Sequence, residues 1–430
     1  MRKLLIYTFL FLIGLVSVNY FFAVFLPSAF KNLRFLFLII TSLWGIYLLF
    51  QPKYKSIYDF PLKIIIFSML FAAVMAWLTW DQPIYYGLLI TLQFFIWPIY
   101  YILRQLKITI SEIEFIAIFF SLLYTALYLY QFSNPSTVLF NEGMVEDEYR
   151  EVRGIIRIIF PGAGFFWLGI YISITKLTSD KSKMYWFWFF MMVLGIVIQT
   201  MQVTRTFIIP IILVYLYHFT KTLSIKKKLL IVIAFMAFLI IAPNIEIPVI
   251  DGMIERTQQT ADDGTKDIRY IATEFFISEF PPSILNYFFG NGIGHGASGY
   301  GQYMQFLANE KGYHISDIGI FGVYTYFGIF YVLGWVILAI MIINTPVSKD
   351  KVYVKYFFFN VLFGAFTGST LYHMNFIMAI IFALYILEKD YRIQNLKEIL
   401  KKINVKRKVL EKVSLQQTSE NQEFLINSKK

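Results

Sequence analysis

The sequence contains no cysteine, and this absence excludes disulfides, thiol nucleophiles and cysteine-ligated metal sites. Histidine is also scarce: only 4 are present, which argues against a multi-histidine metal centre. Charged residues make up 15% of the chain, whereas an average soluble protein has about 25%. We therefore predict no metal and no cofactor, and we do not expect a soluble protein.

Apolar side chains, in contrast, are in large excess. Hydrophobic residues make up 58% of the 430 residues, and they include 46 Phe, 30 Tyr and 8 Trp. A soluble domain is about 45–50% apolar. Its surface does not tolerate so many large aromatic side chains, whereas helices exposed to hydrocarbon do. The composition predicts an all-α integral membrane protein.

Long apolar runs define the predicted spans, because a helix needs about 20 mostly apolar residues to cross a bilayer. They predict about twelve transmembrane helices, the first of which follows Arg2-Lys3. The basic flank of that first run is typical of a signal peptide, but the run is too long for one, so we predict a retained helix. The predicted spans cover residues 4–26, 33–50, 62–80, 84–103, 113–132, 155–175, 184–200, 206–219, 229–243, 318–343, 353–367 and 369–387.

Lysine and arginine concentrate in alternate loops, and such loops face the cytoplasm in membrane proteins. We therefore predict that both termini are cytoplasmic. The net charge of +11 then mostly reflects topology, and no nucleic acid is expected as a partner. Only Lys31 and Arg34, in a short outer turn, go against the pattern. The basic loops carry Arg2, Lys3, Lys53, Lys55, Arg104, Lys107, Lys176, Lys181, Lys183, Lys221, Lys226, Lys227, Lys228, Lys349, Lys351 and Lys355.

The predicted spans divide the chain into two regions. Residues 1–387 form the transmembrane domain, which includes one large outer loop at residues 244–317. Residues 388–430 form a basic cytoplasmic tail, in which apolar residues recur at helical spacing over residues 393–403. This amphipathic helix is predicted to lie on anionic lipid headgroups or to dock a cytoplasmic partner. The polar composition after Ser414 predicts disorder.

A glycine cluster, Gly290-Asn-Gly292-Ile-Gly294-His-Gly296, lies in the large outer loop. It is not read as a nucleotide-binding fingerprint, because no strand–turn–helix unit surrounds it. Two interpretations stay open. The cluster is either a flexible turn or a loop whose bare backbone at Gly292 and Gly294 approaches a phosphate or sugar closely.

Arginines at the predicted outer boundary are unexpected, because the positive-inside rule depletes this face of basic residues. Arg157 and Arg205 lie at or just inside an apolar run, where an unpaired cation is costly. Any one of them alone could snorkel to water or pair with a loop carboxylate. Together they predict an anion site, since the planar guanidinium binds phosphate oxygens in bidentate fashion. The candidate residues are Arg153, Arg157, Arg205 and Arg269.

The segment His314-Ile-Ser-Asp317 precedes the tenth predicted span. In one interpretation, His314 is bonded to the backbone and Asp317 caps the helix. In the other, His314 is the general base of a transferase and Asp317 helps to orient it. A Ser-His-Asp hydrolase is not predicted, because no Gly-x-Ser-x-Gly sequence occurs.

These features together resemble the bacterial O-antigen polymerase and O-antigen ligase superfamily of integral membrane glycosyltransferases. The resemblance covers the span layout and roughly residues 153–330. Many relatives have His-Asn where this chain has His314-Ile315, and this difference favours a polymerase over a ligase. The residues that carry the resemblance are Arg157-Ile-Ile-Phe-Pro161-Gly162, Thr204-Arg205-Thr206, Arg269, Phe289-Gly-Asn-Gly-Ile-Gly294, His314, Asp317 and Tyr326-Phe327-Gly328.

The resemblance implies a metal-independent enzyme in the bacterial plasma (inner) membrane. Such an enzyme transfers glycan from an undecaprenyl-diphosphate carrier to an acceptor sugar hydroxyl at the outer face, and so makes O-antigen, capsule or exopolysaccharide. The arginines would neutralise charge on the diphosphate leaving group, and His314 would accept the hydroxyl proton. Membrane lipids, a flippase and chain-length regulator proteins are the expected partners.

Other functions stay open. An O-antigen ligase uses the same donor with a different acceptor. A flippase or transporter of lipid-linked oligosaccharide also fits about twelve spans. A transporter, however, should carry ionisable groups at mid-membrane, and the predicted span centres are nearly free of charge. A non-catalytic scaffold is the remaining class.

Overall fold

The computed structural model describes residues 2–134, 139–140, 151–152, 155–156, 158, 161–179, 184–202, 205–222 and 264–427. These residues form fifteen α-helices and one pair of two-residue antiparallel strands. The helices are α1 (Arg2–Ser17), α2 (Ser28–Leu49), α3 (Asp59–Trp80), α4 (Ile84–Leu92), α5 (Ile99–Leu106), α6 (Ile110–Ser133), α7 (Ala163–Leu177), α8 (Tyr185–Met201), α9 (Arg205–Thr222), α10 (Ile268–Ser278), α11 (Ile284–Phe289), α12 (Gly299–Lys311), α13 (Ile320–Asn344), α14 (Tyr353–Gly364) and α15 (Met374–Asn427). The strands are β1 (Glu151–Val152) and β2 (Ile155–Ile156).

Four helices, α2, α3, α6 and α13, are long and apolar enough to cross a membrane. Shorter apolar helices, among them α7, α8 and most of α9, pack beside them. This helical architecture is consistent with a membrane protein, as the composition predicts. The predicted span at residues 229–243 lies outside the described residues, so the number of twelve spans stays a prediction.

Two of the predicted spans are shorter than expected. The sixth does not begin at Ile155, because β1 and β2 occupy that stretch and α7 begins at Ala163. Pro161 disfavours helical backbone in the residue before it, and Gly162 has a φ of 106°. Helix α1 ends at Ser17, because Asn19 adopts the left-handed region with a φ of 61°.

The predicted span 84–103 is two helices, α4 and α5, separated by an irregular segment at residues 93–98. A break at membrane depth leaves backbone groups without helical partners. The hydroxyl of Ser42 donates to the carbonyl of Phe95 (3.1 Å) and supplies one of these bonds. Helix α2 approaches the break closely at Gly45, where a Cβ atom would overlap the carbonyl of Pro98.

Helix α13 is also interrupted, at Gly328 (φ 75°, ψ 179°). The interruption leaves the carbonyls of Thr325 and Tyr326 without their helical donors. The backbone N–H groups of Asn291 and Gly292 donate to these two carbonyls, each at 2.9 Å. The glycine cluster is therefore joined to the bundle by the broken helix.

Buried ion pairs gather at one end of the bundle, here called the basic end and defined by Arg104, Glu114, Lys351, Glu388 and Arg392. Glu388 is buried and pairs with Arg104 and Arg392, while Glu114 pairs with Lys351 (2.7 Å). Of the basic residues in these pairs, Arg104 and Lys351 come from loops that the Lys/Arg pattern predicts to be cytoplasmic, and Arg392 comes from the predicted cytoplasmic tail. The structure brings those loops together, and the side of the membrane that they face stays a prediction.

Helix α15 runs from the bundle into the tail without a break and ends at Asn427. Residues 415–427 are therefore helical, where the polar composition predicts disorder. No glycine or proline occurs between Met374 and Asn427, so nothing in the sequence interrupts the helix. The apolar residues of the tail repeat are exposed by 39% to 58%, and they are Ile393, Leu396, Ile399, Leu400 and Ile403.

Candidate functional site

The described part of the large outer loop folds into a small helical unit, here called the loop subdomain (residues 264–319). It packs on the Trp80 end of α3, whereas the other end of α3 lies next to Ile57, which donates to Glu388 at the basic end (3.2 Å). The subdomain and the basic end are therefore at opposite ends of the bundle. Its buried core consists of Ala272, Phe276, Phe280, Tyr300, Leu307, Ile315 and Ile318, together with Ala76 of α3.

The glycine cluster is closely packed between α3 and α12. A Cβ atom at Gly292 would lie 2.5 Å from the carbonyl oxygen of Ala72, and one at Gly294 would lie 2.8 Å from the Cα of Gly301. Gly292 also has a φ of 71°. This packing accounts for the glycines and does not match the interpretation of a flexible turn. In the alternative interpretation, a phosphate or sugar approaches the bare backbone at Gly292. In the structure, Ala72 of α3 already lies against this backbone.

Gln82 holds the glycine cluster in place. Its Nε2 donates to the carbonyl of Ile293 (3.0 Å), and its Oε1 accepts from the backbone N–H of His295 (2.8 Å) and from the hydroxyl of Ser298 (2.7 Å). Burial raises the pKa of the Tyr300 hydroxyl well above its ordinary value. It therefore stays protonated and donates to the carbonyl of Gly292 (3.0 Å).

His314 and Asp317 lie on the surface of the loop subdomain, and both side chains are exposed. Residues 315–317 form a 3₁₀ turn in which the N–H of Asp317 donates to the carbonyl of His314 (3.0 Å). The Asp317 carboxylate accepts from the Ser316 hydroxyl (3.2 Å). Within the described chain, no hydrogen bond joins the His314 ring to this carboxylate.

The interpretation of Asp317 as the cap of the tenth span is wrong. Helix α13 begins at Ile320, and its N-cap is Gly319. The chain at Gly319 (φ 56°) passes so close to Phe366 that a Cβ atom would overlap the Phe366 carbonyl. Only glycine fits this approach, and the helix therefore begins two residues later than predicted.

Arg269 lies in the first turn of α10, a helix of the same subdomain as His314. Its N–H donates to the carboxylate of Asp267 (2.8 Å), and its side chain is exposed. Helix α10 packs against the segment before His314, since the rings of Phe275 and Tyr313 are 5.4 Å apart. The structure thus places three of the predicted site residues, Arg269, His314 and Asp317, on the same subdomain.

The other predicted arginines are not described. Arg153 and Arg157 lie outside the described residues, as does the side chain of Arg205, the first residue of α9.

In the parts of the chain that the structure describes, no group of three or more His, Asp or Glu side chains could hold a metal ion.

A ladder of stacked aromatic rings, which sequence reasoning missed, crosses the loop subdomain. Trp80 of α3 stacks on Phe280 and on Tyr300, with centroids 4.8 Å apart in each case. The stack continues through Tyr303 to Phe306, which are 38% and 47% exposed. The only sequence signal was the spacing of Tyr300, Tyr303 and Phe306 along α12, because Trp80 is more than 200 residues away. Flat exposed aromatic faces of this kind can stack on the apolar faces of sugar rings.

Arg34 is a second residue whose role sequence reasoning missed. It is fully buried in α2; its Nε donates to the carbonyl of Val16 (3.2 Å), and its guanidinium lies over the rings of Phe22 and Phe35 at 4.8 and 5.3 Å. A buried cation in an apolar bundle is costly and is therefore a candidate for function. The sequence signal for Arg34 was its position in a predicted outer turn, where the positive-inside rule does not expect a basic residue.

An apolar cavity of about 230 Å³ lies between α1, α6 and residues 139–140. Tyr20, one of its lining residues, also approaches Gly162 at the start of α7, where a Cβ atom would lie 2.6 Å from the tyrosine hydroxyl. One wall of the cavity therefore lies next to Gly162, at the start of α7. It is lined by Leu15, Tyr20, Phe21, Ala23, Phe25, Leu26, Leu123, Leu127, Leu139 and Phe140.

A comparison with protein-family models finds no family that matches this chain, and a comparison with curated proteins finds no matching relative. The function has therefore to be argued from the site itself.

Proposed function

We propose that this protein is a polysaccharide polymerase that transfers glycan from an undecaprenyl-diphosphate carrier to an acceptor sugar hydroxyl. In this proposal it crosses the bacterial plasma membrane about twelve times with both termini in the cytoplasm, and the loop subdomain faces outward. The observation that carries the proposal is that Arg269, His314 and Asp317 are all exposed on one subdomain. A cation, a base and a carboxylate exposed on one subdomain suit transfer from a phosphate leaving group.

Each part of the substrate has a matching feature at the loop end. The lipid tail suits the apolar cavity lined by Tyr20, and sugar rings suit the exposed end of the aromatic ladder at Phe306. The diphosphate suits Arg269, with Arg153, Arg157 and Arg205 as further candidates. No metal is required, because guanidinium groups neutralise the leaving group.

The distribution of buried charge favours an enzyme over a transporter. Proton-coupled carriers place ionisable groups near mid-membrane. In the described helices, the buried Asp, Glu, Arg and His side chains lie within two turns of a helix end or at the basic end. They are Arg34, Asp59, Glu112, Glu114, His218, Glu388 and Asp390. A ligase would use the same site with a lipid acceptor, so the acceptor decides between the two enzymes.

The proposal is tested with purified protein in detergent and lipid-linked repeat units as the only substrate. We expect chains of several repeats, with no loss of activity when a metal chelator is added. A single transfer to a lipid A core acceptor, without chain growth, would identify a ligase. If several suitable repeat units give no polymer while vesicles show gradient-dependent movement of the lipid, the protein is a transporter and the proposal is wrong.

The orientation can be tested separately, because the chain contains no native cysteine. Glu310 on α12 and Lys349 between α13 and α14 are both exposed and lie at opposite ends of the bundle. A membrane-impermeant maleimide is added to cells whose outer envelope is permeable to it and whose plasma membrane is intact. We expect a cysteine at Glu310 to react under these conditions and one at Lys349 to react only after lysis. The reverse pattern would invert the topology and place the proposed site in the cytoplasm.

A further inference from the structure

A cavity of about 200 Å³, lined mainly by charged residues, lies at the basic end, where α15 leaves the bundle beside the end of α5. Its walls carry four cations and one carboxylate, Glu388. This basic pocket is far from the proposed glycan site, because the two lie at opposite ends of α3. The lining residues are Arg104, Lys107, Tyr385, Glu388, Lys389 and Arg392.

The single carboxylate of the basic pocket is already neutralised. Glu388 pairs with both Arg104 and Arg392, the latter at 2.7 Å. Its two oxygens also accept from the hydroxyl of Ser56 (3.1 Å) and the N–H of Ile57 (3.2 Å). The pocket therefore retains an excess of positive charge.

The neighbouring carboxylate does not remove that excess. Glu112 lies close enough to act on Lys389, but it accepts from the backbone N–H of Thr109 (2.7 Å) and does not line the cavity. Lys389 itself donates to the carbonyl of Ile108, and the hydroxyl of Tyr385 does the same at 2.7 Å. These bonds hold the cations in place without supplying a counter-charge.

Arg104 provides a donor that the described chain leaves unused. Two of its nitrogens are occupied, one by Glu388 and one by the carbonyl of Lys55 (2.6 Å). Its Nε is buried and has no hydrogen-bond partner among the described residues. A buried donor of this kind indicates a missing partner, such as a water molecule or a ligand.

We propose that the basic pocket binds a phosphate group. Guanidinium and ammonium groups together are the usual protein partners of phosphate oxygens. The pocket also lies where α15 changes from buried residues to exposed ones, at Glu388 to Arg392. Basic pockets between helices at the cytoplasmic boundary of a membrane are suited to anionic lipid headgroups.

The test is native mass spectrometry of the full-length protein in detergent, with phosphatidylglycerol or phosphatidylcholine added. We expect one phosphatidylglycerol to be retained in preference to phosphatidylcholine. Removing a single cation near a membrane surface weakens binding about fivefold, so Lys107→Gln and Arg392→Gln should each show that loss. Lys349→Gln removes an exposed lysine at the same end but outside the pocket, and it should bind like the wild type.

Inorganic phosphate distinguishes the source of the bound group. If millimolar phosphate displaces the lipid in the wild type but has no effect in Lys107→Gln, the site takes free phosphate as well as headgroups. If phosphate has no effect, the site is specific for the lipid. Equal lipid binding by wild type, Lys107→Gln and Lys349→Gln would overturn the proposal, as would the absence of any preference for phosphatidylglycerol.

Discussion

Replacing His314 with alanine should slow polymerisation about 10²–10⁴-fold, the usual contribution of a general base. The effect should be on chemistry alone. The His314 side chain is exposed and makes no hydrogen bond within the described chain, and surface substitutions of this kind usually change stability by less than about 0.5 kcal/mol. The measurement is the initial rate of polymer formation by purified protein, together with the thermal unfolding midpoint. Binding of the lipid-linked donor should be largely unchanged.

His295 offers a matched control for His314 on the same subdomain. Its ring stacks on Tyr86 (4.5 Å) and its Nδ1 accepts from the N–H of Ala297 (3.2 Å), so it has a structural environment of its own. We expect His295→Ala to polymerise at a rate within a few-fold of the wild type.

Asp317→Asn should lower the polymerisation rate less than His314→Ala does, because the Asp317 carboxylate bonds to Ser316 rather than to the His314 ring. If His314→Ala polymerised as fast as the wild type, His314 would not be the general base. The polymerase proposal itself would still be decided by the polymerisation assay with purified wild-type protein.

Replacing Gln82 with leucine should release the loop subdomain from the bundle. The substitution leaves the buried carbonyl of Ile293 and the partly buried N–H of His295 without their partners. Each such group costs about 1–3 kcal/mol, so the effect on the free energy of unfolding should be among the largest for a single side chain at this end. Ser298 is less affected, because its single hydroxyl proton can be donated to the carbonyl of His295 instead (2.7 Å).

Gln82→Glu is the matched variant, because a carboxylate keeps the acceptor for His295 and Ser298 but cannot donate to Ile293. We expect its stability to lie between that of the wild type and that of Gln82→Leu. The measurements are the unfolding midpoint in detergent and the rate of limited proteolysis within the loop subdomain. If Gln82→Leu matched the wild type in both, the hydrogen bonds of Gln82 would not be what holds the glycine cluster.

Local sequence patterns were sufficient for several of the long apolar helices. The predicted spans at residues 33–50, 62–80 and 113–132 agree with α2, α3 and α6 to within a few residues at each end. The reason is physical: in an apolar medium the backbone must satisfy its own hydrogen bonds, so a long apolar run has few alternatives to a helix. His314 and Asp317 were also chosen from their chemistry and their place before a span, and their role stays a prediction.

Long-range contacts decided the rest. Nothing local shows that Gly328 would break α13, because the break is stabilised by N–H groups of Asn291 and Gly292 from the preceding loop. Nothing local shows the aromatic ladder either, because it forms where Trp80 of α3 stacks on Tyr300 of α12. The burial of Arg34 is likewise seen only in the folded structure.

The sequence by itself therefore determined that this chain is an apolar helical protein, where several of its long apolar helices lie and which residues are candidates for the proposed chemistry. Only the tertiary structure decided that Arg269, His314 and Asp317 share one subdomain, and that Gln82 joins the glycine cluster to α3. Apolar periodicity is a property of neighbouring residues, so it can be read along the chain. A hydrogen bond between residues more than 200 positions apart depends on how helices pack, which the order of residues does not display.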